Sequence, residues 1–375
     1  MAGIYLHIPF CKQACNYCNF HFSTSLKLKD EMIAAIEKEI GLQKNYLEGQ
    51  TIETVYFGGG TPSLLSAKEL MKLWNALEKS FPNQDLKEVT LEANPDNLSS
   101  SYLKDLKTTP INRLSIGIQS FHDKDLSYMN RAHNAREADY AVKAAQDNGF
   151  ENISIDLIYG TPTMNDKDWL HNIKTAINLR VPHISSYALT VEPRTALAHA
   201  IDKGKTVEPN NSQTATQFEM LMEQLELAGY DHYEISNFAL PKKYALHNTN
   251  YWKNKHYLGL GPSAHSFNGN SRQWNVASNP SYIKSIVADN KVPFEKELLS
   301  FEDRFNEYLM TSLRTMWGVD LDLATKSFGA DVTADLVQNA ASYIERDWMI
   351  QKDNKLILTK AGKLFADKIA ANLFL

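Results

Sequence analysis

The chain has few cysteines, no membrane-length apolar run and no excess of positive charge, and each lack excludes a class of protein. Its 375 residues carry 39 Lys and Arg against 44 Asp and Glu, a formal net charge of -5. Because a nucleic-acid-binding protein usually neutralises phosphates with a basic face, we expect no nucleic-acid partner. No stretch approaches the roughly 18 apolar residues of a membrane span, so we expect no integral membrane segment. The start of the chain also lacks the pattern of a secretion signal, which predicts a cytoplasmic protein.

The three cysteines of the chain lie close together, at Cys11, Cys15 and Cys18. An odd, closely spaced set does not form a disulfide framework. Convergent thiolates favour zinc, copper(I) or an iron–sulfur cluster instead. Structural zinc needs a fourth protein ligand, for which His21 is the candidate. An iron–sulfur cluster usually takes four cysteines, so three would leave one iron open to an outside donor.

Short β-rich runs alternate with amphipathic helical patterns over residues 3–239. Repeated βα units of this kind predict a parallel sheet. Ser66 with Glu69, and Asn134 with Glu137, match the capping-box pattern of a helix start. The predicted strands cover residues 3–8, 53–57, 88–93, 113–119, 152–158, 183–188 and 231–236.

Six successive predicted units end in polar or glycine-rich residues. In barrel enzymes the active site is assembled from loops at the C-terminal ends of the strands. The repetition therefore favours a partial (β/α)6 TIM-type barrel over an open doubly wound sheet. The strand-end groups are the cysteine loop, residues 58–62, Glu92 with Asn94, Gln119, Asp156, and Tyr187 followed by Glu192.

The glycine-rich run at residues 58–62 has the sequence GGGTP. Glycines let a backbone approach a ligand closely and expose N–H groups to an anion. The run matches neither the Walker pattern nor GxGxxG, so nucleotide binding in those modes is not expected.

These motifs together resemble the radical S-adenosylmethionine (SAM) superfamily. The resemblance rests on the Cys11-xxx-Cys15-xx-Cys18 spacing and the GGGTP run. Within the superfamily, the chain is similar to the branch of anaerobic coproporphyrinogen oxidases (HemN) and heme chaperones (HemW). That similarity is carried by HIPF at 7–10, LEANP at 91–95, SIGIQS at 115–120 and DLIYG at 156–160.

The resemblance implies that Cys11, Cys15 and Cys18 bind a [4Fe-4S] cluster, whose unique iron takes the amino and carboxylate groups of SAM. Chemically, glycine N–H groups and Arg131 suit that carboxylate, and Glu92 suits the ammonium. For Arg131 the alternative is a surface residue near the helix that starts after Asn134. The SAM-binding positions implied by the resemblance are Tyr5, Gly59, Gly60, Thr61, Glu92, Gln119, Arg131, Asp156 and Ala188.

Two departures favour the heme chaperones over the oxidases. By resemblance, the oxidases have a fourth cysteine two positions after the third, where this chain has Phe20. They also have a long segment before the cluster motif, where this chain has ten residues. The HNxxYW pattern at residues 247–252 is typical of the chaperones. Because a neutral histidine is a usual axial ligand of heme iron, His247 is a candidate heme ligand, with His265 as the second candidate and a structural role as the alternative for both.

The resemblance thus implies a heme chaperone that binds a [4Fe-4S] cluster, SAM and heme and delivers heme to apo-hemoproteins. An electron donor would be a further partner if SAM is cleaved. The alternative function is an oxygen-independent coproporphyrinogen III oxidase, which decarboxylates its substrate to protoporphyrinogen IX by SAM-dependent radical chemistry.

Three parts are predicted along the chain: a radical SAM partial barrel over residues 1–239, a connecting segment with the HNxxYW motif over 240–300, and a C-terminal domain over 301–375. Helices and a hairpin around residues 349–358 make the last part winged-helix-like, a small α+β domain. Its 9 basic and 11 acidic residues do not favour DNA binding. A final helix is predicted from about residue 359 to 373.

Overall fold

The computed structural model describes residues 1–375, with a 12-stranded sheet at its centre. The middle of the sheet is parallel, in the order β1 to β6, which confirms the predicted βα alternation. The two outermost strands of the sheet do not pair with each other, so the barrel is incomplete. These parallel strands are β1 (Ala2–Ile8), β2 (Ile52–Gly59), β3 (Gln84–Ala93), β4 (Arg113–Gln119), β5 (Asn152–Tyr159) and β6 (His183–Ala188).

Helices connect the strands, and two of them begin at the predicted capping boxes. The Glu69 N–H donates to Ser66 Oγ at 3.3 Å, while Glu69 Oε2 accepts from the Ser66 N–H at 2.7 Å. Asn134 and Glu137 form the same reciprocal pair. Each box satisfies N–H groups that the first helical turn leaves without partners. The helices in this part are α1 (Lys29–Leu42), α2 (Ala67–Ser80), α3 (Ser100–Leu106), α4 (Asp123–Tyr128), α5 (Ala135–Asp147), α6 (Asp166–Asn178), α7 (Ala196–Asp202) and α8 (Asn211–Leu227).

The parallel strands carry apolar residues on their outer face and polar residues on their inner face. Ile4, Leu6 and Ile8 of β1 belong to a core of 58 buried residues that the helices cover. Parallel sheets are usually apolar on both faces, so the polar inner face suggests a ligand-binding surface. The inward side chains include Tyr5, Thr54, Tyr56, Glu88, Glu92, Arg113, Ser115, Ser154, Asp156, His183 and Ser185.

After β6 the sheet ends in the antiparallel pair β8 (Asn237–Ala239) and β7 (Asp231–Glu234). The sequence predicts a connecting segment over residues 240–300, but the structure has six regular elements there. Its strand β9 pairs in parallel with β1, and the following strands extend the sheet on that side. The elements are α9 (Leu246–Trp252), β9 (Tyr257–Leu260), β10 (His265–Phe267), β11 (Ser271–Asn275), α10 (Asn279–Val287) and β12 (Phe294–Leu298).

The C-terminal residues have their own core of 16 buried residues and a 3-stranded sheet. The predicted hairpin is present, with a two-residue strand added beside it. The predicted final helix is instead two helices, α14 and α15, separated at Leu364 and Phe365. No helix of the protein has the length and apolarity needed to cross a membrane. The elements are α11 (Phe301–Leu313), β13 (Val319–Asp320), α12 (Leu321–Phe328), α13 (Ala330–Glu345), β14 (Met349–Lys352), β15 (Lys355–Leu358), α14 (Lys360–Lys363) and α15 (Ala366–Asn372).

Candidate cluster and nucleotide site

The three cysteines lie in the loop after β1, at the C-terminal edge of the parallel strands. Backbone hydrogen bonds hold this loop: the Cys11 N–H donates to Ser23 O at 3.0 Å, and the Asn16 N–H donates to Met129 O at 3.1 Å. Each thiol is partly exposed. The loop is therefore fixed at both sides, while its sulfurs remain accessible.

The surroundings of Cys11 and Cys18 favour the protonated thiols when no metal is bound. Burial raises the pKa of the Cys11 thiol to about 11, although a hydrogen bond with Thr61 works in the opposite direction. Burial also raises the pKa of Cys18. A coordinating metal deprotonates thiols outright, so these raised pKa values are compatible with a metal cluster held by the three sulfurs.

The zinc alternative requires His21 as a fourth ligand beside the three thiols. In the structure, the His21 ring bonds to another residue instead. The ring Nε2 of His21 is hydrogen-bonded with Asn279 Oδ1 at 2.7 Å. No group of three or more His, Cys, Asp or Glu side chains is arranged to hold a single metal ion. The ligands of an iron–sulfur cluster bind different irons, so they do not have to converge on one point.

The glycine-rich run packs directly against the cysteine loop. A Cβ atom on Gly60 would lie 2.5 Å from Phe10 O, and one on Gly59, whose φ is +107°, would lie 2.7 Å from the His7 ring. The N–H groups of Gly59, Gly60 and Thr61 already donate to Glu92 Oε2, Ile8 O and Phe10 O. These glycines thus permit close backbone approach, and their N–H groups are used within the protein rather than offered to an anion.

Glu92 and Asp156 face each other across the inner face of the sheet. Desolvation raises the pKa of Glu92 to about 7, and the nearby Asp156 adds to the effect, while the hydrogen bond that Tyr56 donates at 2.7 Å opposes it. Desolvation likewise raises the pKa of Asp156 to about 6. Two carboxyl groups held in this way fit the ammonium and hydroxyl groups of a bound nucleotide.

Arg131 lies beneath the cysteine loop and is not the surface residue considered as an alternative. Its Nη1 donates to Cys15 Sγ at 3.3 Å, and its Nη2 donates to Asn94 Oδ1 at 2.9 Å and to Gly117 O at 2.8 Å. Its Nε is buried and has no hydrogen-bond partner. A buried, unpaired guanidinium N–H beside the cysteines fits a carboxylate ligand.

The remaining predicted nucleotide positions also lie on the inner face or at the strand ends. Gln119 ends β4 with a left-handed backbone, φ 66°; strain of this kind clusters at functional sites. Ala188 ends β6, Tyr5 contacts the His7 ring at 3.2 Å, and Thr61 Oγ1 accepts from Asn94 at 3.3 Å. The structure therefore brings together all nine predicted SAM positions around the cysteine loop and the inner face.

His247 lies at the opposite end of the barrel from the cysteines. Helix α9 packs against the starts of the strands, where Glu88 accepts from the His247 N–H at 2.9 Å. The His247 ring bonds through Nδ1 with Thr54 Oγ1 and through Nε2 with Tyr251 Oη, both at 2.8 Å. Both ring nitrogens are used and the side chain is buried, so this geometry favours a structural role over the predicted heme ligation.

Sequence reasoning missed a cavity of about 580 Å³ beside β1, which we call the lateral cavity. It is formed by side chains distant in sequence, from Tyr5 to Thr311, so no local motif marks it. The cysteine loop supplies Phe20 and His21, and β10 supplies His265 and Phe267. The other lining residues are His7, Asn19, Tyr251, Trp252, Asn254, Tyr257, Ser263 and Arg272.

Comparison with known proteins identifies the family. Residues 5–176 match the radical SAM superfamily, and residues 299–365 match the HemN C-terminal domain. The heme chaperone HemW of Bacillus subtilis is 34% identical over 373 residues, which cover 98% of both chains. The chain belongs to the HemW family of radical SAM proteins. The HemW of Mycobacterium tuberculosis (strain H37Rv) is 32% identical over 376 residues, covering 99% of this chain and 94% of that one.

The architecture of this HemW-family chain is that of a solved relative from the same branch. Coproporphyrinogen III oxidase (HemN) from Escherichia coli superposes with a TM-score of 0.84 at 22% identity, covering 100% of this chain and 90% of that one. At this identity the likeness concerns the fold, and it confirms the predicted radical SAM barrel with a smaller C-terminal domain. Membership of the superfamily implies a [4Fe-4S] cluster and SAM.

Proposed function

We propose that the chain is a heme chaperone, which binds heme and delivers it to apo-hemoproteins and retains a [4Fe-4S] cluster and SAM in its barrel. The observation that carries this proposal is the similarity to HemW proteins over the full length of both chains. The polar inner face and the aromatic lateral cavity support it, because they offer a polar site for a nucleotide and, adjoining it at Tyr5, an aromatic site for an apolar ligand.

Within this proposal, Cys11, Cys15 and Cys18 hold the cluster. When bound and reduced, the cluster supplies an electron to SAM. Arg131, with its unpaired Nε beside Cys15, holds the SAM carboxylate, and Glu92 accepts from the SAM ammonium. An electron donor is a further partner if SAM is cleaved.

The other SAM contacts follow from positions on the sheet. Gln119 and Asp156, on neighbouring strands, accept from ribose hydroxyl groups, since both lie at the C-terminal halves of β4 and β5. Tyr5, Thr61 and Ala188 complete the walls of the site. Gly59 and Gly60 allow the loop to approach the cysteines closely, as their side-chain space is already filled by His7 and Phe10.

The lateral cavity does not suit the coproporphyrinogen oxidase alternative. Coproporphyrinogen carries four carboxylates, whereas the cavity contains one Lys or Arg side chain, Arg272. That guanidinium is paired with Glu307, with Nη2 to Oε2 at 2.8 Å. A cavity without a free cation is suited to the flat, apolar part of a porphyrin, not to a substrate with four negative charges.

We also propose a division of the chain and a location. Residues 1–239 form the barrel, 240–300 extend its sheet beside β1, and 301–375 form a separate C-terminal domain; separate cores support the last boundary. A cytoplasmic location agrees with the three free, partly exposed thiols, which stay reduced in that compartment.

Two assays on the anaerobically reconstituted protein test the proposed function. Titration with heme is expected to give saturable binding, and the loaded protein is expected to transfer heme to an apo-hemoprotein acceptor. Incubation with coproporphyrinogen III, SAM and a reductant is expected to give no catalytic turnover. Absence of heme uptake, or multiple turnovers of the porphyrinogen, would contradict the proposal.

A further inference from the structure

The histidines near the lateral cavity differ in whether their ring nitrogens are free. His7 uses both, since Nδ1 bonds with Tyr5 Oη and Nε2 with His21 O. His21 uses Nε2 in its bond with Asn279, and His247 uses both of its nitrogens. His265 is exposed and its ring forms no side-chain hydrogen bond, so both nitrogens are free, whereas His21 has only Nδ1 free.

We propose that His265 is the axial ligand of heme iron and that the porphyrin lies in the lateral cavity. This assignment rests on the proposed heme binding and names its site. His265 is the first residue of β10 and lines the cavity. A free imidazole nitrogen is what a proximal heme ligand requires.

The surroundings of His265 favour its neutral form and fix the orientation of its ring. The ring stacks on Trp274 of the neighbouring strand, with centroids 6.0 Å apart and an interplanar angle of 29°. Partial desolvation of the ring and the charge of Arg272 lower the pKa of His265, which favours the neutral ring. Neutral imidazole is the form that binds metal.

The walls of the cavity fit the flat face of a porphyrin. Phe20, which is 68% exposed, lines the mouth of the cavity and offers an accessible aromatic surface to a ligand. Tyr251, Trp252 and Phe267 supply further aromatic area from α9 and β10. The volume of about 580 Å³ falls within the roughly 300–1,000 Å³ of ligand sites.

The charges around the cavity determine how heme would lie in it. Arg272 is committed to Glu307 and also donates to Tyr257 Oη at 3.0 Å, so heme propionates gain most by staying in water.

The test compares heme binding by the full-length, reconstituted protein and two variants. His265→Ala is expected to shift the Soret band and to weaken heme binding by roughly 10–100-fold, and added imidazole is expected to restore the band. The control is His171→Ala, which removes an exposed histidine on α6, outside the cavity, and is expected to leave affinity and spectrum unaltered. Circular dichroism and iron content confirm that both variants keep the fold and the cluster.

The outcomes separate this assignment from the proposed function. A wild-type protein that takes up no heme overturns both. Heme uptake by the wild type that His265→Ala leaves unaltered in affinity and spectrum overturns the assignment alone. Loss of binding that imidazole does not restore in a folded His265→Ala variant also overturns it, because ligation is then not what the side chain provides.

Discussion

The guanidinium of Arg131 donates to the sulfur of Cys15 across 3.3 Å. The same side chain bonds to the backbone of β4 through Gly117 O, so it connects the cysteine loop to the sheet. A positive charge beside a thiolate also stabilises it. Arg131 is therefore placed to act on the cluster loop and on a bound nucleotide together.

Replacing this guanidinium should weaken SAM binding. Arg131→Gln removes the charged donors, and loss of hydrogen bonds to a charged group costs about 1.5–3 kcal/mol, so we expect SAM affinity to fall roughly 10- to 150-fold. Isothermal titration of the reconstituted protein measures this affinity. Arg136→Gln, an exposed arginine five residues further along the chain, is the control and should bind SAM normally. Equal affinity in both variants would remove Arg131 from the site.

The cysteine variants test the cluster against the zinc alternative. Cys15→Ser and Cys18→Ser should each lower bound iron and sulfide strongly, because a cluster with three protein thiolates has no spare ligand. His21→Ala should retain iron and sulfide, since its ring is bonded with Asn279. Metal analysis after anaerobic reconstitution gives the comparison. Stoichiometric zinc that depends on His21 would contradict the cluster.

The raised pKa of Glu92 predicts how SAM affinity depends on pH. Its pKa is raised by desolvation to about 7 in the folded, ligand-free protein, whereas the ammonium of SAM favours the ionised form. Affinity should therefore rise from pH 6 to about pH 8, with release of a proton on binding at the lower pH. Asp156 adds to the effect, because burial raises its pKa to about 6. Glu92→Gln should bind SAM weakly and with a flatter pH profile, and titrations in buffers of different ionisation enthalpy detect the proton.

The raised pKa of Glu92 also makes stability depend on pH. Without SAM, the stability contributed by this group falls as pH rises, whereas SAM affinity increases. A carboxyl group with a raised folded-state pKa favours the folded state below its ordinary value near 4.5, and this contribution is lost as pH rises towards 7. Without SAM, Glu92→Gln should thus melt at a higher temperature than the wild type at pH 8 but not at pH 4.5. Differential scanning calorimetry at the two pH values checks the sign; a Glu92→Gln variant less stable at pH 8 would contradict it.

Gly60 should tolerate no side chain, because Phe10 O occupies the space of its Cβ. Gly60→Ala is expected to displace the cysteine loop, to cost about 1–3 kcal/mol of unfolding free energy and to lower cluster retention. Gly41→Ala is the matched control: apart from the adjacent backbone of its own helix, no atom lies within 4 Å of its Cβ position, and alanine should stabilise α1 by about 0.5–1 kcal/mol. Urea unfolding and iron analysis separate the two. A Gly60→Ala protein with normal iron would show that the loops can move apart.

The sequence predicts the strands and capping boxes of the barrel because those depend on local patterns. The pairing of β9 with β1, at Gly3 and Tyr257, depends on contact between distant residues, and so the extension of the sheet over residues 240–300 is missed. The polar strand β12, exposed along its whole length, has no alternating pattern that would mark it. For the site, the strand-end residues are predictable because parallel strands end at the same edge of a sheet. That the Gly59 and Gly60 N–H groups donate to other groups of the protein is visible only in the fold.

The HNxxYW motif illustrates the difference between a residue pattern and its environment. His247 links Thr54 of β2 to Tyr251 of its own helix, and its ring stacks on Tyr56 at 5.0 Å. This contact closes the end of the barrel opposite the cysteines.

His247→Ala should therefore leave buried hydroxyl groups without partners, at a cost of about 1–3 kcal/mol for each, and lower the midpoint of urea unfolding. Heme bound by the folded fraction should keep the wild-type Soret band. The reason is that the His247 ring is buried with both nitrogens hydrogen-bonded, whereas His265 is the proposed ligand of the iron. An altered Soret band with an unchanged unfolding midpoint would instead make His247 the ligand and assign the barrel end a role in heme binding.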